Sequence, residues 1–125
     1  MHMQMTERQV GDVTILDLSG TLTIDQGAEL LKDKINGLIS QGRIRVVLNL
    51  ALLSYMDSGG LGQLVSCHNS LSKITGGLTL LRLTKRNNDL LSITRLVTLF
   101  QTSESEDDAV RSFAVDADST HVSFS

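Results

Sequence analysis

The sequence predicts a single α/β domain, a mixed sheet of four or five strands with helices packed against it. Short β-branched runs alternate with amphipathic stretches along the 125 residues, which is the pattern of strand–helix–strand crossovers. One run, Arg45-Val46-Val47-Leu48-Asn49-Leu50, is almost continuously apolar, as suits a strand covered on both faces. It is followed by Leu53-Ser54-Tyr55-Met56-Asp57-Ser58-Gly59-Gly60-Leu61-Gly62, a strand-to-helix connection of the kind that carries binding sites in open α/β sheets.

The elements follow in order. Met3 to Arg8 is expected as a short polar strand and Val10-Gly11-Asp12 as a tight turn, with Gly and Asp supplying positive φ. Val13 to Ser19 is the second strand, broken by Gly20. Thr21 to Asp25 is a loop, and Asp25 is the expected N-cap of a helix. In that helix Ala28, Leu31, Ile35, Leu38 and Ile39 make one apolar stripe that ends near Gly42. The Arg45–Leu50 run then joins the second strand in parallel through this crossover.

A second helix is expected from Ser58 to about Thr75. Leu61, Leu64, Val65, His68, Leu71 and Ser72 share its inner face, and Gly76-Gly77 stop it. Leu78 to Leu83 is the next strand. Asn87-Asn88-Asp89 offers a cap for a short helix through Leu90, Leu91, Ile93 and Val97, and Leu99 to Thr102 a short edge strand. The acids of Glu104-Ser105-Glu106-Asp107-Asp108 suit the first turn of a last helix, with Ala109, Val110 and Phe113 facing inward. The domain is expected to occupy residues 1–115, with 116–125 as a polar tail.

Composition narrows the function. The formal net charge is -3 and apolar residues make up 41%, enough to fill one core. Basic residues are scattered, and a solvated loop accounts for the adjacent Lys85 and Arg86. Neither nucleic acid nor an anionic membrane is expected as a direct partner, because each needs a concentrated basic patch. No apolar run approaches the roughly 20 residues that span a bilayer, and the N-terminus lacks a signal core. A single cysteine, Cys67, fits a reducing compartment, and the cytoplasm is the expected location. Cys67 itself reads as a small helix residue near the core boundary.

With Asp57 as N-cap, Ser58, Gly59 and Gly60 form the first helical turn, whose N–H groups lack intrahelical partners. Two glycines there cost about 1 kcal/mol each relative to alanine, a cost that access to the Ser58 hydroxyl would explain. A phosphate on Ser58 would carry about -1.5 to -2 charges at the positive end of a helix dipole. Such a group changes what can dock without unfolding the domain. The spacing alone leaves a second reading open, in which Asp57-Ser58-Gly59-Gly60 is only a capped, tight turn.

These residues resemble a known family. Met56-Asp57-Ser58-Gly59-Gly60-Leu61-Gly62, preceded by Val46-Val47-Leu48-Asn49-Leu50 and Leu53-Ser54-Tyr55, is similar to the central motif of STAS-domain anti-sigma factor antagonists. The likeness runs from Leu18-Ser19-Gly20 to the short helix near Leu90. It implies a small mixed sheet with packed helices and a phosphoacceptor at Ser58. It also implies two partners, an anti-sigma factor that is a serine kinase and a PP2C-type phosphatase that resets the switch. The phosphosite loop by this likeness comprises Asp57, Gly59, Gly60, Leu61 and Gly62, with Thr23 and Asp25 from the neighbouring loop. The chain departs from the family at Gly59, where many relatives have a second serine or threonine. It departs again at Leu22 and Thr23, where an aspartate is common; here Asp25 comes slightly later. STAS domains also serve other bacterial signalling and transport complexes, which is the alternative role.

Rival chemistries find little support. A serine hydrolase needs a base beside its nucleophile, and His68 lies ten residues along the same helix, roughly 15 Å away. There is no Gly-x-Ser-x-Gly elbow, so no catalytic residue is expected. A weak nucleotide-binding module is a further alternative, since Gly59-Gly60-Leu61-Gly62 opens a helix, but neither phosphate-binding glycine motif is present. No cofactor or metal is expected.

Overall fold

The computed structural model describes residues 2–113; the expected tail at 116–125 lies outside them. Strand β1 is Gln4–Val10, β2 Val13–Leu22, β3 Arg45–Met56, β4 Gly77–Leu81 and β5 Gln101–Ser103. Helix α1 is Ala28–Ser40, α2 Ser58–Ser72 and α3 Lys85–Ile93, and residues 106–113 are also helical. The strands lie in sequence order across one sheet. β1 and β2 form an antiparallel hairpin, and β2 through β5 run parallel. In the hairpin turn only Gly11 takes a positive φ, 59°; Asp12 does not, which is the glycine-first arrangement of a two-residue hairpin.

The main core lies between the sheet and α1, α2 and α3. Leu31, Ile35 and Leu38 of α1 and Leu61, Leu64 and Leu71 of α2 meet Leu16, Leu48 and Leu80 of the strands there. Each fully buried leucine or isoleucine contributes about 1.5–3 kcal/mol, so these stripes, not helix propensity, hold the helices. Cys67 also belongs to this core, fully inside its boundary. Ser72, expected on the inner face of α2, is exposed. On the opposite sheet face Val13, Ile15, Val47 and Leu81 pack on Ala109, Val110 and Phe113, as the inward stripe of the last helix requires.

Several boundaries differ from the sequence expectation, each for a local reason. Gly20 does not end β2. It sits in the strand with φ 88°, at a point where a Cβ would lie 2.1 Å from the His2 carbonyl oxygen. Asp25 is not the cap of α1; that position is Gly27, in a left-handed conformation without a side-chain cap. Asn87 is not the cap of α3 either, because the Thr84 side chain accepts from the Asn87 N–H. Lys85 and Arg86 therefore belong to a helix, not to a loop. Strand β4 stops at Leu81, two residues before the expected end, and Arg82 turns to φ 56°. Helix α2 closes on Thr75 at φ 59°, with Gly76 N–H donating to Leu71 O and Thr75 N–H to Ser72 O, the double closure usually built on glycine.

Strand β3 is twice as long as the apolar run suggested. Against β2 it carries an extra residue between Asn49 and Leu52 and another between Leu53 and Tyr55. These bulges shift the side-chain alternation, so Leu50, Leu53 and Met56 are buried while Leu52 and Tyr55 are exposed.

The second sheet face is tied together by Arg8. Its guanidinium meets Asp17 at 2.6 and 3.0 Å and Glu106 at 2.8 Å, and Asn49 Nδ2 donates to Asp17 at 2.8 Å. Hydrogen bonds from Arg8 hold the Asp17 and Glu106 carboxyls below the usual carboxylate range. Such a group adds stability above its unfolded pKa, and the gain is lost as pH falls through the folded value. Because both acids remain partly solvated, the loss should be about 1 kcal/mol from about pH 5 downward. Urea midpoints measured against pH check this: Arg8→Ala should be weaker at neutral pH and have a flatter acid limb. Parallel acid limbs would show that the network contributes nothing.

Candidate functional site

The parallel order of β3 and β4 brings the starts of α2 and α3 to one edge of the sheet. At that edge β2 and β3 end together, with Thr21 opposite Tyr55 and Leu22 opposite Met56. Asp57 follows in an extended conformation, φ -99° and ψ -178°, and caps α2. Its Oδ1 accepts from the Gly60 N–H at 2.7 Å, and its Oδ2 accepts from the Ile24 N–H at 3.4 Å. Its own N–H donates to Leu22 O at 3.3 Å. One carboxylate thus fastens the helix start to the loop after β2.

Ser58 is the first residue of α2 and is exposed. The neighbouring glycines answer to internal contacts. A Cβ on Gly59 would come 2.6 Å from the Ile24 Cβ, and one on Gly60 would come 2.1 Å from Leu22 O. Their role is close approach of the 22–24 segment, which corrects the expectation that access to the Ser58 hydroxyl explains these two glycines. Gly62 is different: it is exposed, and nothing lies within 4 Å of the position of its Cβ. Leu61 belongs to the core.

The loop beside Ser58 is a compact turn. Thr23 N–H donates to Gln26 O at 2.7 Å, and Gln26 N–H donates to Thr23 Oγ1 at 2.9 Å. His2 Nδ1 meets Gln26 Oε1 at 3.0 Å. Thr23 anchors the turn and also bridges Gly27, while Asp25 is exposed at its tip. The residue that touches the helix start is Ile24, 68% exposed, which the sequence reading passed over. At the start of α3, the Arg86 guanidinium lies 5.4 Å from the Tyr55 ring centroid.

Other reactive side chains lie elsewhere. Burial pushes the Cys67 thiol above its ordinary pKa, which disfavours the reactive thiolate. His68 packs edge-on against Phe100, with ring centroids 5.6 Å apart. A groove of about 330 Å³ between β1 and α1, and another of about 360 Å³ near Gly11 and Gly42, are lined by no residue of 52–62. Among the described residues, no helix is long and apolar enough to cross a membrane.

The mixed five-stranded sheet with helices packed against it is the fold of a known domain family. Residues 4–109 match the STAS domain, and the chain belongs to that family. A Bordetella bronchiseptica protein named as an anti-sigma factor antagonist, BtrV, is 26% identical over 111 residues, covering 89% of this chain and 95% of the relative. The crystal structure of a Thermotoga maritima protein named likewise, TM1081, superposes with a TM-score of 0.80 at 25% identity, over 86% of this chain and 92% of that one. Bacillus SpoIIAA in its phosphorylated form shares the fold, with a TM-score of 0.69 at 22% identity over 88% and 99% of the two chains.

Proposed function

We propose that this chain is a non-catalytic antagonist of an anti-sigma factor, acting in the cytoplasm and switched by phosphorylation of Ser58. The observation that carries the reading is the exposed Ser58 at the first position of a helix whose start is fastened by both oxygens of Asp57. The family and the names of BtrV and TM1081 support the partner class. In this reading the anti-sigma factor is also the serine kinase, and a PP2C-type phosphatase restores the unmodified state. Thr23 and Asp25 lie at the rim of the contact, and Gly62 lets the partner come close to the helix.

The mechanism is electrostatic. The unmodified edge offers a small exposed hydroxyl at the first position of α2. A phosphoserine there would place a dianion beside the Asp57 carboxylate, and docking would then have to desolvate both. Unfavourable charge juxtaposition at an interface costs several kcal/mol, whereas the domain keeps its core.

Intact-mass measurement after incubation with the kinase and ATP should show one phosphoryl group on wild type and none on Ser58→Ala. Ser58→Ala should bind the anti-sigma factor as tightly as unmodified protein. Ser58→Asp should bind tenfold to a hundredfold more weakly, about 1.4–2.8 kcal/mol. Equal binding by the two variants would sink the switch.

A further inference from the structure

We propose that Lys85, Arg86 and Tyr55 form a second contact for the same partner, a cationic and aromatic patch that receives carboxylate side chains of the anti-sigma factor. This rests on the reading of Ser58 above.

The patch is fixed beside the serine by the fold. β3 and β4 are parallel, so α2 and α3 begin at the same edge. Asn87 is fully buried, and its Nδ2 donates to Leu53 O at 3.1 Å; it pins the first turn of α3 onto the end of β3. Arg86 lies over Tyr55, and Tyr55 precedes Ser58 by three residues, a stretch of chain that spans at most about 11 Å.

Within the domain these charges are poorly placed. Lys85 and Arg86 occupy the first turn of α3, which contains no acidic residue, and a cation at a helix N-terminus opposes the macrodipole. Lys85 is 94% exposed along its side chain and reaches Asp89 only at 4.0 Å, a surface pair of little worth. Beyond the stacking of Arg86 on Tyr55, folding therefore gains little from two cations here, whereas an acidic protein surface would gain a charge-complementary contact. Leu52, 74% exposed, and Tyr55 add exposed apolar area on β3, the strand to which Asn87 ties α3, as in protein interfaces. Two cations are too few for the basic stripes that hold nucleic acid or anionic lipid.

The test uses the purified anti-sigma factor that phosphorylates Ser58, titrated at low and high salt against Lys85→Glu/Arg86→Glu, the milder Lys85→Gln/Arg86→Gln, and Ser58→Asp. The glutamate pair suits a helix start, which offsets the lost stacking on Tyr55, so this variant should melt close to wild type. It should nevertheless bind at least tenfold more weakly at low salt, with a smaller salt dependence, and the glutamine pair should fall between. Unchanged affinity in both pairs, with Ser58→Asp still weakened, would overturn the patch and leave the switch standing. Weakened charge variants with an unaffected Ser58→Asp would sink the switch and leave the patch. Saturable binding of MgATP to the isolated wild-type chain, lost in the glutamate pair, would reassign the patch to phosphate and overturn it.

Discussion

Gly60→Ala should destabilise the domain by about 3 kcal/mol or more, at the upper end of overpacking costs. The added methyl would lie 2.1 Å from Leu22 O and 2.8 Å from Leu22 C, so backbone, not a flexible side-chain tip, must give way. Leu22 cannot retreat cheaply. Its side chain is fully buried, it stands opposite Met56, and its carbonyl accepts the Asp57 N–H. If the start of α2 moves instead, the Asp57 cap on the Gly60 N–H is lost, which costs about 1 kcal/mol on its own. Urea unfolding checks the value. Gly62→Ala is the control: with nothing near its Cβ, it should gain about 1 kcal/mol from helix propensity. Similar stabilities for the two variants would refute the close approach of β2 to α2.

Asn87→Asp should cost about 3–5 kcal/mol at neutral pH, the range for an uncompensated buried charge. The amide donates to Leu53 O, while its Oδ1 has no partner among the described residues. An ionised aspartate would lose the donor and set a charge against a carbonyl in a dry site. The protonated acid could still donate, so the folded form would raise this carboxyl's pKa. Stability then persists below the unfolded pKa and declines as pH rises through the folded value. The deficit relative to wild type should accordingly shrink from pH 8 towards about pH 4, read from urea midpoints at matched pH. A pH-independent deficit would place the side chain in water.

How much of this was legible in the sequence depended on which residues carried the information. The stripe of Leu31, Ile35 and Leu38 announced α1 because helical period and burial coincide there. Asp57 and Ser58 were legible because capping is local chemistry. Ile24 was not, since its importance comes from a hydrogen bond to Asp57 thirty-three positions away. Asn87 resembled a cap by composition, yet its amide serves a carbonyl on another element. Arg95 adopts φ 62°, where glycine is the usual signal, so the end of α3 leaves no mark in composition, whereas Gly76-Gly77 marked the end of α2 although Thr75 takes the left-handed position. The outer half of β3 was hidden for another reason: alternation fails across its bulges, and Ser54 and Tyr55 then read as loop.

Those two unmatched residues in β3 make the stretch from Ala51 to Tyr55 a spacer whose length is set by counting. Each one rotates the following chain by half a period, and together they return Met56 to the interior just before the helix opens. Dropping one would leave Met56 facing water and swing the serine to a different azimuth. A segment that resembles variable surface loop is thus held to a strict number of residues.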